Sequence, residues 1–251
     1  MCGRFIQYSH PEVYAVSFDL DLGPASEERP VDQFRPRYNL APSQDALVIR
    51  LRPDGSRYLQ PLRWGLIPFW SKGPDHRYQM INARAETLVH KPAYRAAFRQ
   101  RRCIVPAEGF YEWRTEGRLK QPYLIRRADR RPFAMAGIWE HWRDATRHEG
   151  GVAEISSFTI IVTTANAVIQ PLHDRMPVIL SPEHLAAWLD SVEQDPDRLL
   201  PLLQPAPPEA WTLEPVSTRV NNPRNNDPTL IEPVGRAPQM ILKTAARRPE
   251  N

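Results

Sequence analysis

Cysteine is nearly absent: Cys2 and Cys103 are the two in 251 residues. So few cannot form a disulfide framework, and a reducing, cytoplasmic setting is the expectation. Neither belongs to a CxxC or to a Cys/His cluster of zinc-ligand spacing, so no structural metal is expected. Long apolar runs are missing too. None reaches the ~18–20 residues of a membrane span, and residues 1–20 lack the basic start and apolar core of a secretory signal. No membrane association is therefore expected. Internal repeats are absent. Charge of one sign is only mildly in excess, with 33 Lys and Arg against 29 Asp and Glu and a pI near 9.2. That balance is compatible with a nucleic-acid partner and does not demand one.

Proline, by contrast, is abundant: 27 residues, about twice the ~5% norm. It argues against long helices and for short strands joined by rigid turns. Residues 3–8 read as a strand. Ser9, with Glu12 three residues on, reads as a capping box opening a helix. Residues 20–37 read as an exposed loop, and residues 46–62 as a hairpin around Asp54-Gly55. A helix is expected over 91–100 and a buried strand over 102–106, with Cys103 a small core hydrophobe. Tyr123–Arg127 and Phe133–Trp139 read as a strand pair around the polar turn 128–131, and 140–156 as a polar loop. Phe158–Thr164 is the clearest buried strand. Pro177–Leu180 follows as another strand, then a helix capped by Ser181 with Pro182 in its first position. Residues 201–210 read as a connector and Leu213–Val216 as a last strand.

Candidate chemistry begins at the amino end, Met1-Cys2-Gly3-Arg4-Phe5. Methionine before a small residue is the usual setting for its removal. Cys2 would then carry an α-amine (pKa about 7.7–8.0) beside a thiol (about 8.5), with some thiolate near neutral pH. The amine condenses with an aldehyde to an imine, and the thiol closes on the imine carbon to give a thiazolidine. An interior cysteine cannot do this. Glu112, flanked by aromatics in Phe110-Tyr111-Glu112-Trp113, is either a desolvated general acid–base group or an edge-strand partner for an arginine. His173, beside Asp174 and Arg175, is a candidate proton carrier. Ile81-Asn82-Ala83-Arg84-Ala85-Glu86-Thr87 places an amide, a guanidinium and a carboxylate close together. Phe69 and Trp70, next to Ser71-Lys72-Gly73-Pro74, are expected to reach the surface and stack on a base or wedge into a duplex end.

In order along the chain, MCGRF, RYNLAP (37–42), WGLIPFW (64–70), INARAET (81–87), FYEW (110–113), IIVTTAN (160–166), HDRMPVIL (173–180) and the Asn-rich block 221–227 resemble the SOS-response-associated peptidase family. The resemblance implies an abasic-site sensor that crosslinks to single-stranded DNA through Cys2 without a cofactor or metal. It implies catalytic roles for Cys2, Asn82, Glu112 and His173. It implies DNA contacts by Arg4, Arg84, Arg175 and Thr163, with Phe69 and Trp70 at the DNA-end wedge. The implied fold is a compact β-rich α+β domain with barrel-like antiparallel sheets. It spans residues 1–235, followed by a disordered tail over 236–251, in a monomer found in the cytoplasm or on a nucleoid.

Two other readings stay open. In one, Cys2 is the nucleophile of an N-terminal-nucleophile peptidase that acts on Met1 or on other peptides. In the other, the chain is a plain single-strand binder indifferent to Cys2.

Overall fold

Two sheets built from strands of two to eleven residues carry the fold in the computed structural model, which describes residues 2–22, 34–74, 79–117, 119–144 and 154–235. In chain order the strands are β1 Phe5–Gln7, β2 Arg37–Leu40, β3 Asp45–Leu51, β4 Arg57–Trp64, β5 Asn82–Arg84, β6 Arg102–Ala107, β7 Gly109–Glu116, β8 Leu119–Arg127, β9 Phe133–Arg143, β10 Glu154–Thr164, β11 Arg175–Pro177, β12 Ile179–Leu180 and β13 Trp211–Pro215. The helices are short: α1 Pro11–Phe18, α2 Arg95–Gln100, α3 Leu185–Leu189 and α4 Pro196–Leu199.

The first sheet runs β13-β8-β7-β1-β2 and is antiparallel throughout. In the second, β10 is the hub. It pairs antiparallel with β9 and β11 and parallel with β4 and β5. Because β4 also pairs with β3, β3 with β6 and β6 with β9, the strands β10-β4-β3-β6-β9 close on themselves as a five-stranded barrel. Closure is one of the ways a sheet disposes of open edges. The expected β-rich α+β fold with barrel-like sheets is therefore the observed one.

Period-two alternation divides the core. Along β3, Leu47 and Ile49 join Tyr14, Phe18, Phe98 and Trp188 of the helices. Ala46 and Val48 join Phe5, Leu40, Phe110 and Ile125 of the first sheet. At that junction Phe5 meets Trp64 edge to ring, 4.9 Å between centroids. Gly137 on β9 is required by close approach, since a Cβ there would lie 3.0 Å from Cys103 Sγ and 3.1 Å from the Thr159 carbonyl.

Three buried polar side chains fasten these layers. Gln7, fully buried, donates to the Leu47 and Pro106 carbonyls at 2.8 Å and accepts from the Leu47 N–H at 2.9 Å. Pro106 has no N–H of its own to offer β3, and the β3–β6 ladder is a single pairing, Ile49 with Ile104. Glu108 accepts from the Tyr8 and Ser9 amides and from Tyr14 Oη at 2.7 Å. Arg102 donates to Phe98 O and Trp188 O at 2.9 and 2.6 Å, and to Arg99, Asp190 and Glu193 carbonyls. One guanidinium thus satisfies the carboxyl ends of α2 and α3, where carbonyls lack helical partners.

Four local expectations are corrected. Tyr123–Arg127 and Phe133–Trp139 do not pair with each other. The first lies in β8, between β7 and β13, and the second in β9, between β6 and β10. The turn between them, with Arg130 at φ 62°, carries the chain from one sheet to the other. Ser9 is not the cap of α1: His10 holds that position with Pro11 following it, and Ser9 instead donates its N–H to Glu108. The helix expected over 91–100 begins at Arg95, because the Lys91 carbonyl first closes a turn with the Tyr94 and Arg95 amides. Ser181 does occupy the cap position before Pro182, in a 3-10 turn, but makes no side-chain cap bond. Residues 23–33, 145–153 and 236–251, which include most of the two expected loops and the expected tail, lie outside the described residues.

Replacing Gln7 with Leu leaves three buried backbone groups without partners. The expected loss of unfolding free energy is roughly 2–4 kcal/mol, read as a lower denaturant midpoint at unchanged slope. A loss below ~0.5 kcal/mol would show that the clamp is dispensable.

Candidate active site

The polar residues singled out from the sequence gather where the two sheets meet. Cys2 and Glu112 come from the first sheet. β1 pairs with β7 in the register Phe5↔Phe110, and the Tyr111 N–H donates to the Arg4 carbonyl at 2.9 Å. Continued backward, that register lays Cys2-Gly3 alongside Glu112. Asn82, Arg84, Arg175 and Thr163 come from the second sheet, where β5 and β11 flank the same end of β10 (Ile160↔Asn82, Val162↔Arg84, Thr164↔Arg175). His173 sits in the loop just before β11.

Cys2 is fully buried, and its Sγ lies 3.8 Å from the Arg4 carbonyl. Burial first, and the negative charge of Glu112 second, push the thiol far above its ordinary range, while the positive amino terminus opposes them. The thiolate is therefore disfavoured while the chain carries Met1; the expectation of some thiolate concerns Cys2 once Met1 has been removed. Asn82 Nδ2 donates to the Cys2 carbonyl at 2.8 Å. Its Oδ1 is buried with no hydrogen-bond partner among the described residues, an unclaimed acceptor on the side chain that holds Cys2.

Glu112 is 3% exposed. Desolvation lifts its pKa to about 7, against the pull of the positive amino terminus. A carboxyl that is half protonated at neutral pH both gives and takes a proton. His173 is shifted the other way: desolvation, the amino-terminal charge and Arg175 depress its pKa against the opposing pull of Asp174. Its Nδ1 accepts from the Arg175 N–H at 2.9 Å, yet Asp174 Oδ1 lies 2.7 Å from the same nitrogen. One nitrogen cannot accept from an amide and donate to a carboxylate. With the ring neutral, the backbone bond prevails and Asp174, 82% exposed at its side chain, gives way. Nε2 then carries the proton.

Around this centre lie permanent charges. Arg84 is exposed, and Arg175 pairs with Glu86. Arg4 is differently engaged: its guanidinium donates to Asn39 Oδ1 at 2.7 Å and to the Val220 and Asn221 carbonyls at 2.9 and 3.3 Å. Thr163 is 6% exposed, and its neighbour Thr164 faces solvent. Phe69 and Trp70 are both 58% exposed in the stretch after β4. Among the described residues no three His, Cys, Asp or Glu side chains cluster as metal ligands, and no helix is long and apolar enough to cross a membrane.

A family model described as SOS response associated peptidase (SRAP) matches residues 1–223. The chain belongs to this family. It is 42% identical over 233 residues to the abasic site processing protein YoqW of Bacillus subtilis strain 168, across 92% of this chain and 99% of that one. It is 33% identical over 237 residues to the abasic site processing protein YedK of Escherichia coli K12, across 93% and 100%. The crystal structure of a Bacteroides thetaiotaomicron protein superposes with a TM-score of 0.80 at 28% identity, covering 93% of this chain and 100% of that one.

Of two residues that frame the site of this SRAP chain, Asn39 escaped the sequence reading, and the Glu86 carboxylate was placed beside Asn82 and Arg84 without its partner Arg175. Asn39 is buried and donates to the Val220, Asn222 and Asn225 carbonyls at 3.0–3.1 Å. Glu86 orients Arg175. Both lie inside the blocks RYNLAP and INARAET, but their partners are dozens to nearly two hundred residues away. No local pattern announces such contacts.

The raised pKa of Glu112 has a stability consequence with a defined sign. Between its ordinary value of 4.5 and about 7, the folded chain keeps a proton that the unfolded chain releases. The contribution is complete below the ordinary value and is lost as pH rises through 7. Glu112→Gln, which cannot ionise, is therefore expected to be more stable than the parent at alkaline pH, by on the order of 2 kcal/mol. The advantage should vanish in acid, below the ordinary carboxyl range. Denaturant midpoints across that pH range measure it, and a pH-independent difference would contradict it.

Proposed function

We propose that the protein captures abasic sites in single-stranded DNA as a covalent thiazolidine through Cys2, once Met1 has been removed. The observation that carries this reading is the setting of Cys2. A carboxyl with a pKa of about 7 and an amide with one unclaimed buried oxygen converge on the residue that can offer an adjacent amine and thiol. The names of the relatives YoqW and YedK support the substrate class.

The ring-opened sugar presents an aldehyde at C1′. His173, neutral with a proton on Nε2, assists ring opening at the sugar oxygen. The deprotonated α-amine of Cys2 adds to C1′, and Glu112 in its acid form protonates the hydroxyl that leaves as water. The thiol then adds across the C=N bond. The S–C1′ bond forms, the π electrons pass to nitrogen, and the Sγ proton reaches that nitrogen through the Glu112 carboxylate. Aldehyde and aminothiol give thiazolidine and water, with no oxidant and no cofactor. Asn82 holds the Cys2 carbonyl and offers Oδ1 to the amine or to a sugar hydroxyl. Arg84 and Arg175 take phosphates, which adds affinity without reading sequence. Arg4 meets a phosphate only while shared with Asn39 and the 220–221 carbonyls. Thr163, Phe69 and Trp70 complete the DNA side of the reading. The family description supports one further role at the same residue, a peptidase that releases Met1 or acts on other peptides.

With a single-stranded oligonucleotide bearing one abasic site, a denaturing gel is expected to show a shifted band. It should disappear in Cys2→Ala, and the intact mass of the active protein should lack Met1. Glu112→Gln is expected to slow band formation at least about tenfold and to remove an inflection near pH 7 from the rate profile. A band that survives Cys2→Ala, or no band from protein shown to lack Met1, overturns the reading. Separately, Arg84→Ala is expected to flatten the dependence of log affinity on log salt by about 0.7. An unchanged slope would remove Arg84 from the phosphate contacts.

A further inference from the structure

The Asn-rich block 221–227 has no role in the chemistry above, yet it closes over the segment that carries Cys2. After β13 the backbone crosses the face of the first sheet turned away from the barrel, where Val216, Val220 and Leu230 pack on Ile6, Tyr111 and Leu124. The 3-10 turn Thr218–Asn221 then presents the carbonyls of residues 220 and 221 to Arg4. Asn39, buried on β2, is the joint. Its Oδ1 accepts from Arg4 Nη1 at 2.7 Å. Its Nδ2 donates to the Val220, Asn222 and Asn225 carbonyls at 3.1, 3.1 and 3.0 Å. The Val220 carbonyl is shared, since Arg4 Nη1 also reaches it at 2.9 Å.

Both Cys2 and Glu112 are tied to this joint. The Arg4 carbonyl accepts the Tyr111 N–H at 2.9 Å and faces Cys2 Sγ at 3.8 Å. With Asn82 Nδ2 on the Cys2 carbonyl, the stretch Cys2-Gly3-Arg4 is held at both ends. The glycine between has no side chain to fix it and the widest backbone freedom, so the two ends decide where the sulfur lies. On the neighbouring strand, Trp113 follows Glu112, and its Nε1 donates to Asn221 Oδ1 at 2.7 Å. Asn221 also accepts from Arg4 Nη2 through its carbonyl at 3.3 Å. One residue thus touches the side chain beside Glu112 and the side chain two positions from Cys2. A guanidinium offers its donors as a fixed fork, which a lysine ammonium of equal charge does not.

We propose that Asn39 is a positioning residue: it clasps residues 220–225 around Arg4, and this brace fixes Cys2 against Glu112 for the reaction. The proposal rests on the thiazolidine reading and adds to it a dependence of crosslinking on the Asn-rich block, exerted through contacts within the protein.

Two conservative variants of the full chain separate the brace from charge and from folding. Arg4→Lys keeps the charge and loses the fork. Asn39→Asp keeps an acceptor for Arg4 and loses all three donor bonds. The first measurement needs no DNA: alkylation of the two cysteines by iodoacetamide, mapped by mass. Cys2 and Cys103 are both fully buried, and Cys103, in β6, reports general opening of the fold. Each variant is expected to speed labelling of Cys2 at least about tenfold and to leave Cys103 at the parent rate. Equal acceleration at both cysteines makes Asn39 a residue of general stability and overturns the brace, as does no acceleration at either. The second measurement is band formation at saturating abasic oligonucleotide, expected to slow about tenfold in each variant. Affinity for a single strand carrying tetrahydrofuran, an abasic analogue without an aldehyde, should stay within about twofold of the parent. A defect confined to affinity would make Arg4 a phosphate contact alone and overturns the proposal. The two readings fail separately. Selective exposure of Cys2 in the variants, with no band from the parent, keeps the brace and loses the thiazolidine. A parent that forms the band while both variants leave Cys2 protected loses only the brace.

Discussion

A proline leaves a gap in a barrel, and a glutamine from another sheet fills it. Pro106 cannot donate to β3, so the β3–β6 seam of the barrel stops after one pairing. The Gln7 amide takes the unpaired positions, with donors to both strands and an acceptor for one of them. Unpaired buried backbone groups are costly, so the side chain is held firmly. Since Gln7 belongs to β1, the first sheet is locked onto the barrel at that point. Cys2 lies five residues upstream on the same short segment. The position of Cys2 is thus set by a hydrogen-bond requirement of the barrel.

The site divides its labour by charge. Burial leaves the Cys2 thiol protonated, Glu112 balanced near neutrality and His173 uncharged, each through desolvation. The groups proposed to make and break bonds can therefore exchange protons at neutral pH without any of them being a fixed ion. The permanent cations, Arg84 and Arg175, stand on strand ends outside this centre, where water is available and a phosphate can compete with Glu86. A buried guanidinium at the centre would hold Glu112 ionised and deprive it of its acid form.

Much of this was legible in the sequence, and the parts that were not share a cause. Cys2 stood out through the chemistry of an amine beside a thiol, Glu112 through a carboxylate set among aromatics, and the 46–62 hairpin through its Asp-Gly turn. Each rests on residues close together in the chain. The partner of β8 could not be read that way. Both flanking segments have strand character, and the choice between a neighbour in sequence and β13, some ninety residues on, is made by packing. Arg4 illustrates the same limit, for its nearest acceptors are Asn39 and Val220. Ser9 failed as a cap for a related reason: a distant carboxylate, Glu108, had already claimed its amide.

Full burial of Cys2 also bears on how the residue survives before use. Thiolates at the surface are what oxidants and small electrophiles consume, and susceptibility follows exposure and ionisation. A thiol with no exposed surface and a strongly raised pKa has neither. On the proposed chemistry each molecule carries a single aminothiol that one event uses up, so a copy oxidised or alkylated in advance would be a wasted one. The packing that makes the sulfur a poor nucleophile in isolation therefore also preserves it as a stored reagent.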